Sequence, residues 1–268
     1  MVRSKLQHCR RGTMISTTSF SSRISRNYGE DEEDEIQDTS RCIYISLNGV
    51  LSSLQIEYLL ILEDRVTHLV EILVKATIPF DKIGYIQESS SNSNLCDVYL
   101  CKLRGVVLLR IKKPIKDCLY PSWIKIVASM ETKNIITISG LNVSNYLVGN
   151  FDEDVGTIKK LKSSSFDEYP NELNNSLDQV SDLEIGNIIQ GIPAAIMNYS
   201  EARSIRCVNF VSVTKAAISV SSLKCLEKLY PLLSIVLNEE ILQTPSINEY
   251  VQVVRSDPFA LRTENLYC

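Results

Sequence analysis

Apolar and polar positions change period along this chain, and each change predicts an element. Ile43-Tyr44-Ile45-Ser46-Leu47 is a β-rich run closed by the turn pair Asn48-Gly49, which predicts a short strand. Over 52–77 the period becomes helical: Leu59, Leu62, Val66, Leu69 and Leu73 recur at three and four, one buried stripe that Pro79 stops. Residues 82–87 predict a strand and 88–94 a Ser/Asn loop. Residues 97–103 and 106–111 predict a hairpin turning near Arg104-Gly105. A helix is expected over 117–130, carrying the single Trp123, and then an apolar strand over 134–139 ending at Gly140. Residues 150–185 are polar and read as a long irregular loop. Pro193, in a first-turn position, opens a helix to about Ser204, and 206–213 form a β-rich strand. A helix over 220–230 is interrupted by Pro231; a short helix over 247–254 and an extended end follow.

Strands alternating with helices predict an α/β fold, a sandwich with a mainly parallel sheet and one antiparallel portion. The expected organisation is a disordered tail over 1–40, a single α/β domain over 41–254 and a mobile C-terminal tail over 255–268. The first 29 residues carry six Lys or Arg and no acid, a composition that also resembles a mitochondrial presequence, before Glu30-Asp31-Glu32-Glu33-Asp34-Glu35 reverses the sign.

Composition changes this picture mainly by exclusion. Apolar residues make up 44% and charged residues 22%, ordinary for a globular chain. A net charge of −4 offers no basic footprint for nucleic acid, and no apolar run reaches membrane-spanning length, so no membrane insertion is expected. Eight cysteines without a secretory signal read as reduced thiols, and Cys96 and Cys101, five apart on a strand, should face opposite sides. There is no Cys-x-x-Cys pair and there are only two histidines, so no metal site is expected. Asn142, Asn174 and Asn198 sit in glycosylation sequons that read as chance matches, Asn198 on a helix expected to be buried.

Candidate chemistry is sparse. His68 falls on the polar side of the 52–77 helix and reads as a solvated side chain. Asp152, Glu153 and Asp154 read as a solvated acidic patch. No Gly-rich phosphate loop is present; Gly140 reads as a turn glycine, although α/β folds often bind ligands at that edge. The Ala194-Ala195 pair suits close packing of helix on sheet. No catalytic, metal or cofactor-binding residue is expected, and no cofactor.

The end of the chain is more specific. Leu266-Tyr267-Cys268 is a hydrophobic–tyrosine–X tail, the kind used by proteins that dock on the proteasome. A terminal carboxylate pairs with a pocket lysine, the tyrosine supplies a rigid ring and a hydroxyl, and Leu266 fills an apolar slot. Glu264-Asn265-Leu266-Tyr267 also copies the start of an engineered protease site, without the Phe-Gln that completes it. Cys268 is not a prenylation site, which needs the cysteine four from the end.

Ile192-Pro193-Ala194-Ala195-Ile196-Met197-Asn198-Tyr199, followed by a strand and a helix, resembles the Leu-Pro-Ala-Ala-hydrophobic helix of the proteasome assembly chaperone 1 family. Tyr120 to Trp123, Ile135-Ile136-Thr137-Ile138 with Val143 and Tyr146, Pro231-Leu232-Leu233, the acidic N-terminal run and the Leu266-Tyr267-Cys268 end occur in the matching order. The resemblance is best over 187–268 and fair over 96–147; 150–185 matches little. It implies a non-enzymatic chaperone with a three-layer α/β sandwich similar to the purine nucleoside phosphorylase type. It implies a heterodimer with proteasome assembly chaperone 2 that holds 20S proteasome α-subunits while the α-ring forms, with Leu266, Tyr267 and Cys268 as partner-binding residues. The implied location is cytoplasmic, with endoplasmic reticulum association or a nuclear pool as alternatives. The competing class is a phosphorylase- or ligase-like enzyme on the same type of fold.

Overall fold

The computed structural model describes residues 13–14, 43–47, 55–63, 80–89, 91, 93–149, 156–166, 172–214, 225–237 and 248. In chain order the strands are β1 (Thr13–Met14), β2 (Ile43–Leu47), β3 (Tyr58–Leu62), β4 (Asp81–Glu88), β5 (Asn94–Cys101), β6 (Val106–Ile111), β7 (Asn134–Asn142), β8 (Thr157–Lys162) and β9 (Arg206–Thr214). The helices are α1 (Tyr120–Ser129), α2 (Glu172–Leu177), α3 (Gly191–Arg203) and α4 (Tyr230–Leu237). All nine strands share one sheet in the order β1-β2-β4-β5-β6-β3-β7-β9-β8.

The sheet is mixed, which corrects the expectation of a mainly parallel one. Only β6/β3, β3/β7 and β7/β9 pair in parallel. The β2/β4/β5/β6 portion is an antiparallel ladder, extended by β1, and β8 lies antiparallel on β9. The three parallel pairs lie together at the centre of the sheet, and β4–β5 and β5–β6 are joined as hairpins.

The largest correction concerns 52–77. Tyr58-Leu59-Leu60-Ile61-Leu62 is the central strand β3, not part of a helix. Leu59 and Ile61 pack with Trp123, Ile192 and Ile196 on one face of the sheet, while Leu60 and Leu62 pack with Leu229, Leu232 and Leu233 on the other. A strand covered on both faces has no polar alternation, so its leucines mimic a helical stripe. Residues 64–79, including His68, lie outside the described residues.

Each face is covered by helices. α1 and α3 contribute to the core containing Leu59 and Ile61, and α2 and α4 to the opposite one. Trp123 on α1 is fully buried; burying a large apolar side chain contributes about 1.5–3 kcal/mol. Cys96 and Cys101 fall on opposite faces of β5, as their spacing requires. Pro231 does not interrupt a helix: a 3-10 turn over Leu226–Leu229 precedes α4, and Pro231 sits in its first turn, where no amide hydrogen is needed.

The predicted hairpin of β5 and β6 turns through Lys102–Arg104 and Gly105. Gly105 has φ +59°, and a Cβ there would lie 2.7 Å from the Gln55 carbonyl oxygen. Its own carbonyl accepts the amides of Glu57 (2.8 Å) and Tyr58 (3.3 Å), which sets the start of β3 beside β6. β7 runs past Gly140 to Asn142, so Gly140 lies inside a strand and not at its end.

The polar stretch 150–185 is not simply irregular. It contains β8 and α2, and Ser181 to Leu183 lie along the outer edge of β8. Lys160 donates its amide to Ser181 (3.0 Å), and Leu183 donates to Lys160 (2.7 Å). The edge strand is thereby partly covered. The three lysines of β8 hide its period: Lys160 is buried, and its ammonium donates to the carbonyls of Leu177 and Val180.

Candidate functional site: two loop systems at one end of the sheet

Several residues singled out in the sequence lie outside the described residues: Leu266, Tyr267, Cys268, His68, Asp152, Glu153 and Asp154. Gly140 is half-buried within β7. Ala194 and Ala195 are also half-buried; the core-facing side chains of α3 are Ile192, Pro193, Ile196, Met197 and Ser200. Close packing of the helix on the sheet therefore rests on Ile192 and Ile196 and not on the alanine pair. Asn198 is exposed on the same helix, contrary to the expectation of burial.

The strand order places a topological switch at the carboxyl ends of β3 and β7. From β3 the chain leaves toward β4 on one side, and from β7 toward β8 and β9 on the other. α/β proteins commonly open a crevice at such a point. Here Glu63, the first residue after β3, donates its amide to the Ile138 carbonyl at 3.0 Å. A Cβ at Gly191, the start of α3, would lie 3.7 Å from both Glu63 Oε1 and the Tyr120 hydroxyl. Burial, then the hydrogen bond with Asp117, then the charges of Asp117 and Glu63 push the Tyr120 hydroxyl up to about 12. Tyr120 is thus a protonated donor near neutral pH, set between two carboxylates.

Beneath α3, the side-chain carbonyl oxygen of Asn209 accepts the hydroxyls of Thr137 (2.7 Å) and Ser139 (3.1 Å). All three side chains are buried, and they fix the register of β7 against β9 at this end.

The second loop system follows β7. Asn142 accepts the Ser144 amide at 3.0 Å and turns the chain out of the strand. The buried Tyr146 donates its hydroxyl to Glu184 Oε2 at 2.7 Å, and the Lys159 ammonium pairs with Glu184 Oε1. Burial, then the Glu184 contact, push the Tyr146 hydroxyl up to about 12. Burial alone would raise the Glu184 carboxyl, but Lys159 and Tyr146 outweigh it and hold it below the usual carboxylate range. Asn187 completes the brace. Its side-chain oxygen accepts the amides of Leu147 (2.7 Å) and Val148 (3.1 Å), and its nitrogen donates to the carbonyls of Val148 (2.7 Å) and Glu184 (3.1 Å). Gly149, with φ +117°, crosses the Tyr146 ring so closely that a Cβ would lie 2.2 Å from the hydroxyl. Tyr146 stands out in the sequence, but its partners in this brace do not. Its signal was faint: one tyrosine, one glutamate and one asparagine spread over forty residues.

Among the described residues no group of three or more His, Cys, Asp or Glu side chains could hold a metal ion, and no helix is long and apolar enough to cross a membrane.

No family model and no curated protein matches the sequence. The fold is similar to that of PbaB of Pyrococcus furiosus, described as an archaeal proteasome activator, at 11% identity and a TM-score of 0.57 over 84% of this chain and 97% of that one. It is also similar to PbaA of the same organism, described as an archaeal homolog of proteasome-assembly chaperone, at 11% identity and a TM-score of 0.54 over 83% of this chain and 99% of that one. A third similar structure, a protein with unknown function from Thermoplasma acidophilum, has 13% identity and a TM-score of 0.55 over 80% and 88%. At identities this low the likeness shows a shared fold and nothing beyond it.

Proposed function

We propose that this chain is a non-enzymatic proteasome assembly chaperone of the chaperone 1 type. In this reading it pairs with proteasome assembly chaperone 2, holds 20S α-subunits while the α-ring forms, and docks on the ring through Leu266, Tyr267 and Cys268. The three-layer order of the purine nucleoside phosphorylase type and a cytoplasmic location belong to the same proposal. The observation that carries it is the likeness of the whole fold to PbaA and PbaB, together with the hydrophobic–tyrosine–X tail.

The test is reconstitution. Purified α-subunits are mixed with and without the chain and its related partner, and ring formation is followed on native gels. Faster rings and fewer off-pathway aggregates are the expected result. No change in ring formation, with nucleoside cleavage on adding phosphate, would replace the chaperone with the enzyme.

A further inference from the structure

The two ends of the sheet are protected in different ways. At one end β8 carries Lys159, Lys160 and Lys162, and Ser181 to Leu183 lie along its outer edge. Lysines and a covering segment are ordinary defences of an edge strand. At the other end β2 reads Ile43-Tyr44-Ile45-Ser46-Leu47, with no charge and no proline. Every residue but Ser46 is aliphatic or aromatic, the composition of a strand that pairs readily with another chain. Among the described residues its outer neighbour is β1, which pairs with it at only two positions, Thr13 with Leu47 and Met14 with Ser46.

β2 is self-complementary. A two-fold axis normal to the sheet through Ile45 sets Ile45 against Ile45, Ile43 against Leu47 and Tyr44 against Ser46. Such an axis leaves each side chain on its own face. Ile43, Ile45 and Leu47 are buried on the face that carries Trp123, so the apolar row of one copy continues into that of the other. Tyr44 and Ser46, both half-buried, meet on the opposite face, and no like charges face each other. In this register Leu47 lies against Ile43 of the second copy, the place that Thr13 now holds. β1 and a second β2 therefore exclude each other.

We propose that β1 is a removable guard on the edge of β2, and that the edge it guards pairs antiparallel with β2 of a second copy of this chain. The guard makes two residue pairs and the dimer five, so loss of the guard shifts the balance toward the dimer by mass action. Backbone hydrogen bonds and apolar contacts hold the pair, so added salt does not weaken it. The inference does not rest on the proteasome reading, and no proteasome subunit enters its test.

Three full-length forms are compared by sedimentation over a range of concentrations: the intact chain, Thr13→Pro with Met14→Pro, and the same two substitutions with Ser46→Lys added. Proline removes the amide hydrogens that β1 can offer β2. Ser46→Lys sets two ammonium groups diagonally across the two-fold. The proline form dimerises roughly tenfold or more tightly than the intact chain, equally at low and high salt, and the added lysine reverses the gain. Hydrogen exchange locates the contact. The outward amides of β2 exchange faster in the dilute proline form than in the intact chain and regain protection in its dimer. The β7/β9 ladder keeps its protection in all three forms, which also reports that each is folded. Equal association of the intact and proline forms overturns the proposal. So does a dimer that survives Ser46→Lys, or one that leaves the β2 amides unprotected. Loss of protection along the β7/β9 ladder in the proline form overturns it as well, because β1 is then part of the cooperative fold and not a guard.

Discussion

Asp97 shows how one residue can hold a sheet that its neighbours make apolar. It is 4% exposed within β5, and it accepts hydrogen bonds from Lys82 (2.8 Å) on β4, from Lys112 (3.2 Å) just beyond β6 and from Asn94 (2.9 Å). Burial would raise its carboxyl, but the bonds from Lys82, Asn94 and Lys112 outweigh it and hold it below the usual range. A carboxyl depressed in the folded state adds stability above its unfolded value of about 3.9, and this is lost as pH falls through the lower folded value. Asp97→Asn should therefore cost about 1–3 kcal/mol at pH 7 in urea unfolding, with the difference from the parent shrinking below about pH 4. A gap independent of pH would mean that shape, not charge, matters there. Buried thiols give a second prediction at this scale. Burial pushes Cys96 well up, Cys207 to about 12 and Cys225 to about 11. These three should resist maleimide in the native protein and label on unfolding, while exposed Cys118 labels at once. Labelling of Cys207 at the rate of Cys118 would show that α3 does not seal the sheet. Asp97 is not legible in the sequence because two of its three partners, Lys82 and Lys112, reach it only once β4, β5 and β6 have paired.

At the scale of elements, local signals succeeded where a turn glycine, a first-turn proline or a β-branched run marks the element. The β5/β6 hairpin, α1, α3 and β9 were readable from Gly105, Trp123, Pro193 and the β-rich run after Arg206. β3 was not, because burial on both faces erases its period, and β8 was not, because its lysines mask it. The loop brace was illegible for another reason. It depends on Tyr146, Glu184 and Asn187 meeting in space, which the sheet order arranges and no local pattern announces. The brace makes its own prediction. Gly149→Ala places a methyl group where the Tyr146 hydroxyl sits and strains a backbone at φ +117°. Hydrogen exchange at the Leu147 and Val148 amides, which donate to Asn187, should quicken at least tenfold, while the β7/β9 ladder keeps its protection. Unchanged exchange at both amides would show that Asn187 does not hold the loops together.

For the whole molecule, the sequence order of strands and helices conveyed an α/β fold but not the balance of its sheet. Parallel pairing is confined to β6, β3, β7 and β9, and antiparallel pairing builds both flanks. The proposed function rests on that fold, similar to those of PbaA and PbaB, and on the Leu266-Tyr267-Cys268 sequence. The direct measurement is the affinity of the full-length chain, with its related partner, for purified α-rings or 20S particles. Three forms are compared: intact, lacking Leu266-Tyr267-Cys268, and extended by one residue after Cys268. The proposal predicts tight binding by the intact form and a loss of about 2 kcal/mol, some thirtyfold, in the other two, because both displace the carboxylate from its lysine. Equal affinity in all three would contradict docking through the tail, and no affinity in any of them would contradict the chaperone reading itself.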